Sequence, residues 1–96
     1  MIKIKYTDMT LTLTGHADYD KYGKDIVCAS VSTLVTSTIN HIHSISEKID
    51  YQDNGNTLSI RINNDKYSKI LFNNLILMLK ELANDYPKNI KIESEK

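Results

Sequence analysis

The spacing of hydrophobic residues changes period repeatedly along this chain, and those changes constrain its fold more than any other feature. Ile2, Ile4 and Tyr6 alternate with lysines, and Leu11 and Leu13 resume the alternation beyond a turn at Thr7-Asp8. A period of two marks strands with one buried face. The second strand ends near Gly15-His16, and Asp18 to Lys24 has no usable period, so it reads as a loop. From Asp25 onward the spacing becomes helical. Val27, Val31, Leu34, Val35, Ile39 and Ile42 share one face of an amphipathic helix of about 18 residues, with Asp25 as its cap or first-turn acid. Its β-branched residues lower its intrinsic propensity, so packing must hold it.

Alternation returns at Ile49 and Tyr51, and again at Leu58, Ile60 and Ile62, with Asp53-Asn54-Gly55-Asn56 between them. An Asn-Gly pair between alternating runs predicts a tight hairpin, because both residues tolerate positive φ. Asn63-Asn64-Asp65 offers caps for a second helix. Its expected stripe is Tyr67, Ile70, Leu71, Leu75, Met78, Leu82, Ala83 and Tyr86, and Pro87 ends it. Ile90 and Ile92 predict a short last strand. The order β-β-α-β-β-α-β predicts an α+β fold, a small two-layer sandwich with two helices covering one side of a mostly antiparallel sheet. At 96 residues the chain has material for one core, so residues 1–96 are expected to form a single domain.

Composition excludes several functions. Twelve Lys plus Arg balance twelve Asp plus Glu, with five of each sign in residues 1–48 and seven in residues 49–96. That balance argues against a basic face, so no direct nucleic-acid partner and no membrane partner are expected. The longest apolar run, Leu75 to Leu79, is far short of the roughly 20 residues of a membrane-spanning helix. The chain opens on alternating residues where a signal peptide would show a continuous apolar run. Its single cysteine, Cys28, closes no internal disulfide, so a cytoplasmic setting with a free thiol is expected. One thiol does not make a Cys-rich zinc site. His41 and His43, two residues apart on a helix, point to different sides, so no metal site is expected.

Reactive side chains meet element boundaries in one place, the 13 residues from His16 to Cys28. A thiolate near a helix start is favoured by the helix dipole and by backbone N–H groups. An imidazole nearby can take the thiol proton, and the same N–H groups can stabilise an acyl-transfer oxyanion. Free cysteine also behaves as a small buried hydrophobe, and spacing alone favours that reading for Cys28, which lies between Val27 and Val31. Asp25 and Ser32, three before and four after Cys28, share its helical face and can orient His16 or hold a water. Helix cap and small packed residue are their simpler roles. Tyr19 and Tyr22 sit in the loop among Asp18, Asp20, Lys21 and Lys24. With Asp25 the five charges leave a net of minus one, which suits a basic peptide better than a phosphate backbone.

Gly15-His16-Ala17, a short loop containing Gly23, and Asp25-Ile26-Val27-Cys28-Ala29 with Val31-Ser32 together resemble the ribosomal-processing cysteine protease family Prp. The likeness covers the chain in length and element order and is specific across residues 15–32. It implies a cysteine endopeptidase that removes the N-terminal extension of the twenty-seventh protein of the large ribosomal subunit during ribosome maturation. By the same resemblance Cys28 is the nucleophile, His16 the general base and acid, and Asp25 and Ser32 match positions that support the pair. The resemblance further implies a homodimer, no cofactor, and a substrate-covering loop over Asp18, Tyr19, Tyr22 and Gly23, with Gly23 as its hinge. One departure is Ser30, where a second small apolar residue is expected after Cys28-Ala29. The rival reading is a non-catalytic, ribosome-associated binding module with Cys28 as a core residue. A thiol redox protein is a weaker rival, since no second cysteine is present for an internal cycle.

Overall fold

A computed structural model describes residues 1–21, 24–45 and 47–95 of the chain. Its elements follow the expected order: β1 (Ile2–Tyr6), β2 (Thr10–Thr14), α1 (Ile26–Ser44), β3 (Ile49–Asp53), β4 (Thr57–Ile62), α2 (Lys66–Asp85) and β5 (Ile90–Ser94). The strands form one sheet in the order β3-β4-β2-β1-β5. Every neighbouring pair is antiparallel except β1 and β5, which run parallel. The connections explain these directions. Short turns join β1 to β2 and β3 to β4, whereas α1 carries the chain past β4 and α2 carries it past β2 and β1. A long crossover of that kind is what joins parallel strands.

Alternation along the strands becomes layering across the sheet. Ile4 lies opposite Leu13, and Leu11 opposite Ile60. Ile2, Ile4, Leu11, Leu13, Ile60 and Ile62 are buried, while Lys3, Lys5, Arg61 and Lys91 are exposed on the other face. The helices pack on each other and over the apolar face, where strand and helix residues merge into a single core cluster. In α1 the buried positions are Val27, Val31, Val35 and Ile42, as the spacing predicts.

Two local expectations are corrected. In α2 the core face is Ser68, Phe72, Leu75, Ile76 and Leu79. Tyr67, Ile70 and Met78 from the expected stripe are instead 64%, 54% and 41% exposed. The helix carries apolar residues over most of its circumference, leaving a narrow polar stripe of Lys66, Lys69, Asn73, Lys80 and Asn84, and five of them run consecutively from Leu75 to Leu79. Helical spacing is therefore satisfied by two overlapping stripes, and contact with the sheet selects the one containing Phe72. In the β3–β4 turn, Gly55 takes a left-handed backbone at φ +92°, but Asn54 does not. Asn54 contributes its side chain, whose Oδ1 accepts the N–H groups of Asn56 at 3.2 Å and Thr57 at 2.8 Å.

Phe72 is 1% exposed, so Phe72→Ala should leave a cavity. Its expected cost is about 3–5 kcal/mol. Met78→Ala, on the open side of α2, should change stability by no more than about 0.5 kcal/mol. Urea unfolding measures both, and equal costs would return Met78 to the core face.

Candidate active site

The segment after β2 is shaped by its three residue types. Gly15 has φ +88°, and a Cβ placed on it would stand 2.6 Å from the Met1 carbonyl oxygen. Both the backbone conformation and the close approach therefore require glycine. Two residues on, the Ala17 methyl plugs into the core at 1% exposure. The residue between them, His16, is left exposed. The Ala17 carbonyl accepts a hydrogen bond from Asn89 Nδ2 at 2.9 Å.

Asp25 connects the loop to α1. As N-cap, its Oδ1 accepts the N–H groups of Val27 at 3.0 Å and Cys28 at 2.9 Å. Its Oδ2 accepts those of Tyr19 at 3.0 Å and Asp20 at 3.4 Å. Partial burial pushes the carboxyl pKa up, but the backbone N–H groups of Cys28, Tyr19, Asp20 and Val27 outweigh it and hold the group below its ordinary value. This geometry corrects one expectation. The amides of Val27 and Cys28 are committed to the cap, and Ala29 N–H to the Asp25 carbonyl at 3.0 Å, so these are not open to an oxyanion.

Cys28 is the third residue of α1 and half-buried, with its side chain resting against the core cluster. Its sulfur accepts the Ala17 N–H at 3.2 Å. The other side of Cys28 opens into two cavities. One, of about 560 Å³, is bordered by His16, Asp18, Asp20, Asp25, Ala29 and Ser32. The second, of about 380 Å³, is a groove between α1 and the β3–β4 hairpin, with Val31, Val35, Ile39, Tyr51 and Leu58 along it. Cys28 and Ser32 border both. A half-buried thiol that receives a backbone donor therefore borders one cavity with His16 and also lines a groove wide enough for an extended chain.

The sequence model of the family described as cysteine protease Prp matches residues 1–91. The chain belongs to the Prp family of cysteine proteases. It is 33% identical over 94 residues to the ribosomal processing cysteine protease Prp of Staphylococcus aureus, covering 92% of this chain and 86% of that protein. It is 33% identical over 98 residues to Prp of Mycoplasma genitalium, covering 99% and 97% of the two chains. The fold is similar to the crystal structure of Staphylococcus aureus Prp with a covalently linked product peptide. There the TM-score is 0.92, with 28% identity over 99% of this chain and 100% of that one. A Streptococcus mutans protein superimposes with a TM-score of 0.84 and 29% identity, over 98% of this chain and 93% of that one. This Prp-family chain is accordingly a cysteine protease.

The structure brings together most of the side chains singled out in the sequence. His16, Asp18, Asp25, Cys28 and Ser32 border one cavity. Asp18 has a left-handed backbone at φ +57°, and its carboxylate pairs with the Met1 amino group at 2.9 Å. Tyr19 does not border that cavity. Its ring meets Tyr86 edge-on, with centroids 5.5 Å apart. Tyr22 and Gly23, expected as loop cover and hinge, lie outside the described residues. Ser30 Oγ donates to the Ile26 carbonyl at 2.7 Å and borders neither Cys28 cavity, so the departure at this position does not reach the site. Among the described residues, no group of three or more His, Cys, Asp or Glu is arranged to hold a metal ion. No helix among them is long and apolar enough to cross a membrane. Sequence patterning missed the Ala17 N–H, Asn89, Tyr86 and the groove. None has a local signal, because each acquires its place only through tertiary contact.

Asp25→Ala should lower the melting temperature at neutral pH by releasing both the helix start and the loop. Because the folded-state carboxyl is held below its ordinary value, its contribution is fully present above the unfolded value and disappears as pH falls through the folded one. The gap in melting temperature between wild type and Asp25→Ala should therefore hold above the ordinary aspartate value of about 3.9 and shrink progressively as the pH falls below it. A gap that widens on acidification would contradict the assignment.

Proposed function

We propose that this Prp-family protease removes the N-terminal extension of the twenty-seventh protein of the large ribosomal subunit during ribosome maturation, acting in the cytoplasm by Cys-His acyl transfer. The observation that carries the reading is the Cys28 sulfur, which receives the Ala17 N–H at 3.2 Å and borders one cavity with His16. Cys28 Sγ attacks the scissile carbonyl carbon as His16 takes the thiol proton, and a sulfur–carbon bond forms. The tetrahedral oxyanion collapses, the carbon–nitrogen bond breaks, and His16 returns the proton to the leaving amine. The leaving amine is the new N-terminus of the shortened protein. Water, deprotonated by His16, then attacks the thioester, the carbon–sulfur bond breaks, and the extension departs as a carboxylic acid while the sulfur takes its proton back from His16.

The groove beside Cys28 supports an extended peptide as the substrate form, and its aliphatic residues favour apolar side chains. Processing of a ribosomal protein is supported by the names of the Staphylococcus and Mycoplasma relatives, and by a Staphylococcus aureus Prp structure holding a substrate peptide. The absence of net charge supports recognition of a protein tail in preference to RNA. A binding module with Cys28 as a core residue is disfavoured, since this side chain opens into two cavities. Homodimerisation belongs to the same proposal. It is supported by the exposed line of Tyr67, Ile70 and Leu77 on α2, an apolar face suited to a second copy.

Incubating the enzyme with the extended ribosomal protein and weighing the products tests the assignment. Wild type should release the extension, Cys28→Ala should leave it attached, and His16→Ala should slow cleavage by about 10²–10⁴-fold. A Cys28→Ala protein that still shortens the substrate would remove Cys28 from the role of nucleophile. Light scattering should report twice the mass of the chain for wild type and the single-chain mass for the pair Ile70→Asp and Leu77→Asp. A monomeric wild type ends the dimer reading.

A further inference from the structure

The donor to the Cys28 sulfur belongs to an irregular segment, where no strand or helix fixes the direction of an N–H group. Ala17 is nevertheless held at two points. Its methyl is buried in the core, and its carbonyl accepts Asn89 Nδ2 at 2.9 Å. With both fixed, the Ala17 N–H is aimed at Cys28 Sγ, 3.2 Å away.

Asn89 is itself rigidly mounted at the corner between α2 and β5. Its carbonyl accepts the Ile2 N–H at 2.8 Å, and its own N–H donates to the Tyr86 carbonyl at 3.0 Å. Those backbone bonds do not involve its side chain, which is free to serve Ala17. The amide suits that task because it donates a hydrogen bond without adding charge near a sulfur that must carry a negative one. The same corner holds the segment a second time, through Tyr86 against Tyr19. Asn89 thus reaches the reacting atom through one intermediary and touches neither sulfur nor imidazole among the described contacts.

We propose that Asn89 is a positioning residue of this protease, whose side-chain amide fixes Ala17 so that its N–H meets the Cys28 sulfur and holds that sulfur ready for attack. A group that locks the direction of a neighbour's hydrogen bond pre-organises the reacting atom without touching it. The proposal rests on Cys28 being the nucleophile.

Three measurements on the full chain test it: the rate of Cys28 alkylation by iodoacetamide at neutral pH without substrate, kcat and KM for cleavage of the extended ribosomal protein, and thermal unfolding. Asn89→Leu keeps the side-chain shape and removes the donor, whereas Asn89→Gln keeps the amide. For Asn89→Leu alkylation should be about tenfold slower. kcat should fall by a similar factor with KM little changed, and Asn89→Gln should recover part of both. A folded Asn89→Leu protein with the wild-type alkylation rate overturns the proposal. If Asn89→Leu does not fold, Asn89→Ala, which also lacks the donor, decides: slower alkylation upholds the positioning role, and the wild-type rate overturns it. Because alkylation is read without substrate, a Cys28→Ala protein that still cleaves would sink the nucleophile assignment separately.

Discussion

The carboxylate of Asp25 divides its two oxygens between structures that would otherwise be independent, capping α1 with one and gathering Tyr19 and Asp20 of the loop with the other. An uncapped helix start attracts anions, because its first N–H groups lack partners and the dipole is positive there. Here the protein supplies the anion itself. Cys28 consequently sits at a helix terminus whose field is already partly neutralised, and the donor to its sulfur comes from outside the helix, at Ala17. The distribution of donors across the site follows from that single cap.

The position of the groove follows from the layering. Two helices packed on each other cover the centre of the apolar sheet face, but β3 is an edge strand and its hairpin with β4 extends beyond α1. Tyr51 points to the apolar side yet is 54% exposed, because little lies over it. The trough between hairpin and helix runs to Cys28 because the thiol stands on the first turn of the helix that forms one wall. A loop placed elsewhere on this scaffold would have no such trough to serve.

Much of this was legible in the residues. The switch from alternating to helical spacing located all seven elements, since a half-buried strand and a half-buried helix impose different periods on the same apolar set. Asp25 was readable as a cap, whereas the spacing of His16 and Cys28 alone favoured a core role for Cys28, and only the family resemblance pointed to the two residues that border one cavity here. The inner face of α2 was not readable. When a helix is apolar over most of its circumference, period alone does not choose between Ile70 and Phe72, and the choice is made by the sheet. The Asn-Gly signal correctly located a hairpin, but the turn uses Asn54 as a side-chain acceptor and only Gly55 for its left-handed backbone. Asn89 was invisible because its partner lies 72 positions away, and nothing local distinguishes it from any other surface amide.

That separation also bears on the order in which the protein becomes an enzyme. Contacts between distant positions form only after a large loss of chain entropy and tend to appear late in folding. His16, Asp25 and Cys28 lie close in sequence and can be arranged by local structure, yet the amide that steadies Ala17 is made only when synthesis has passed Asn89 and the α2–β5 corner has docked beside β1. A nascent chain would thus carry its thiol and imidazole for most of its synthesis without the support that aims the backbone donor at the sulfur. Reactivity would arrive together with the completed fold, which limits the time an unfinished protease could spend cutting its surroundings.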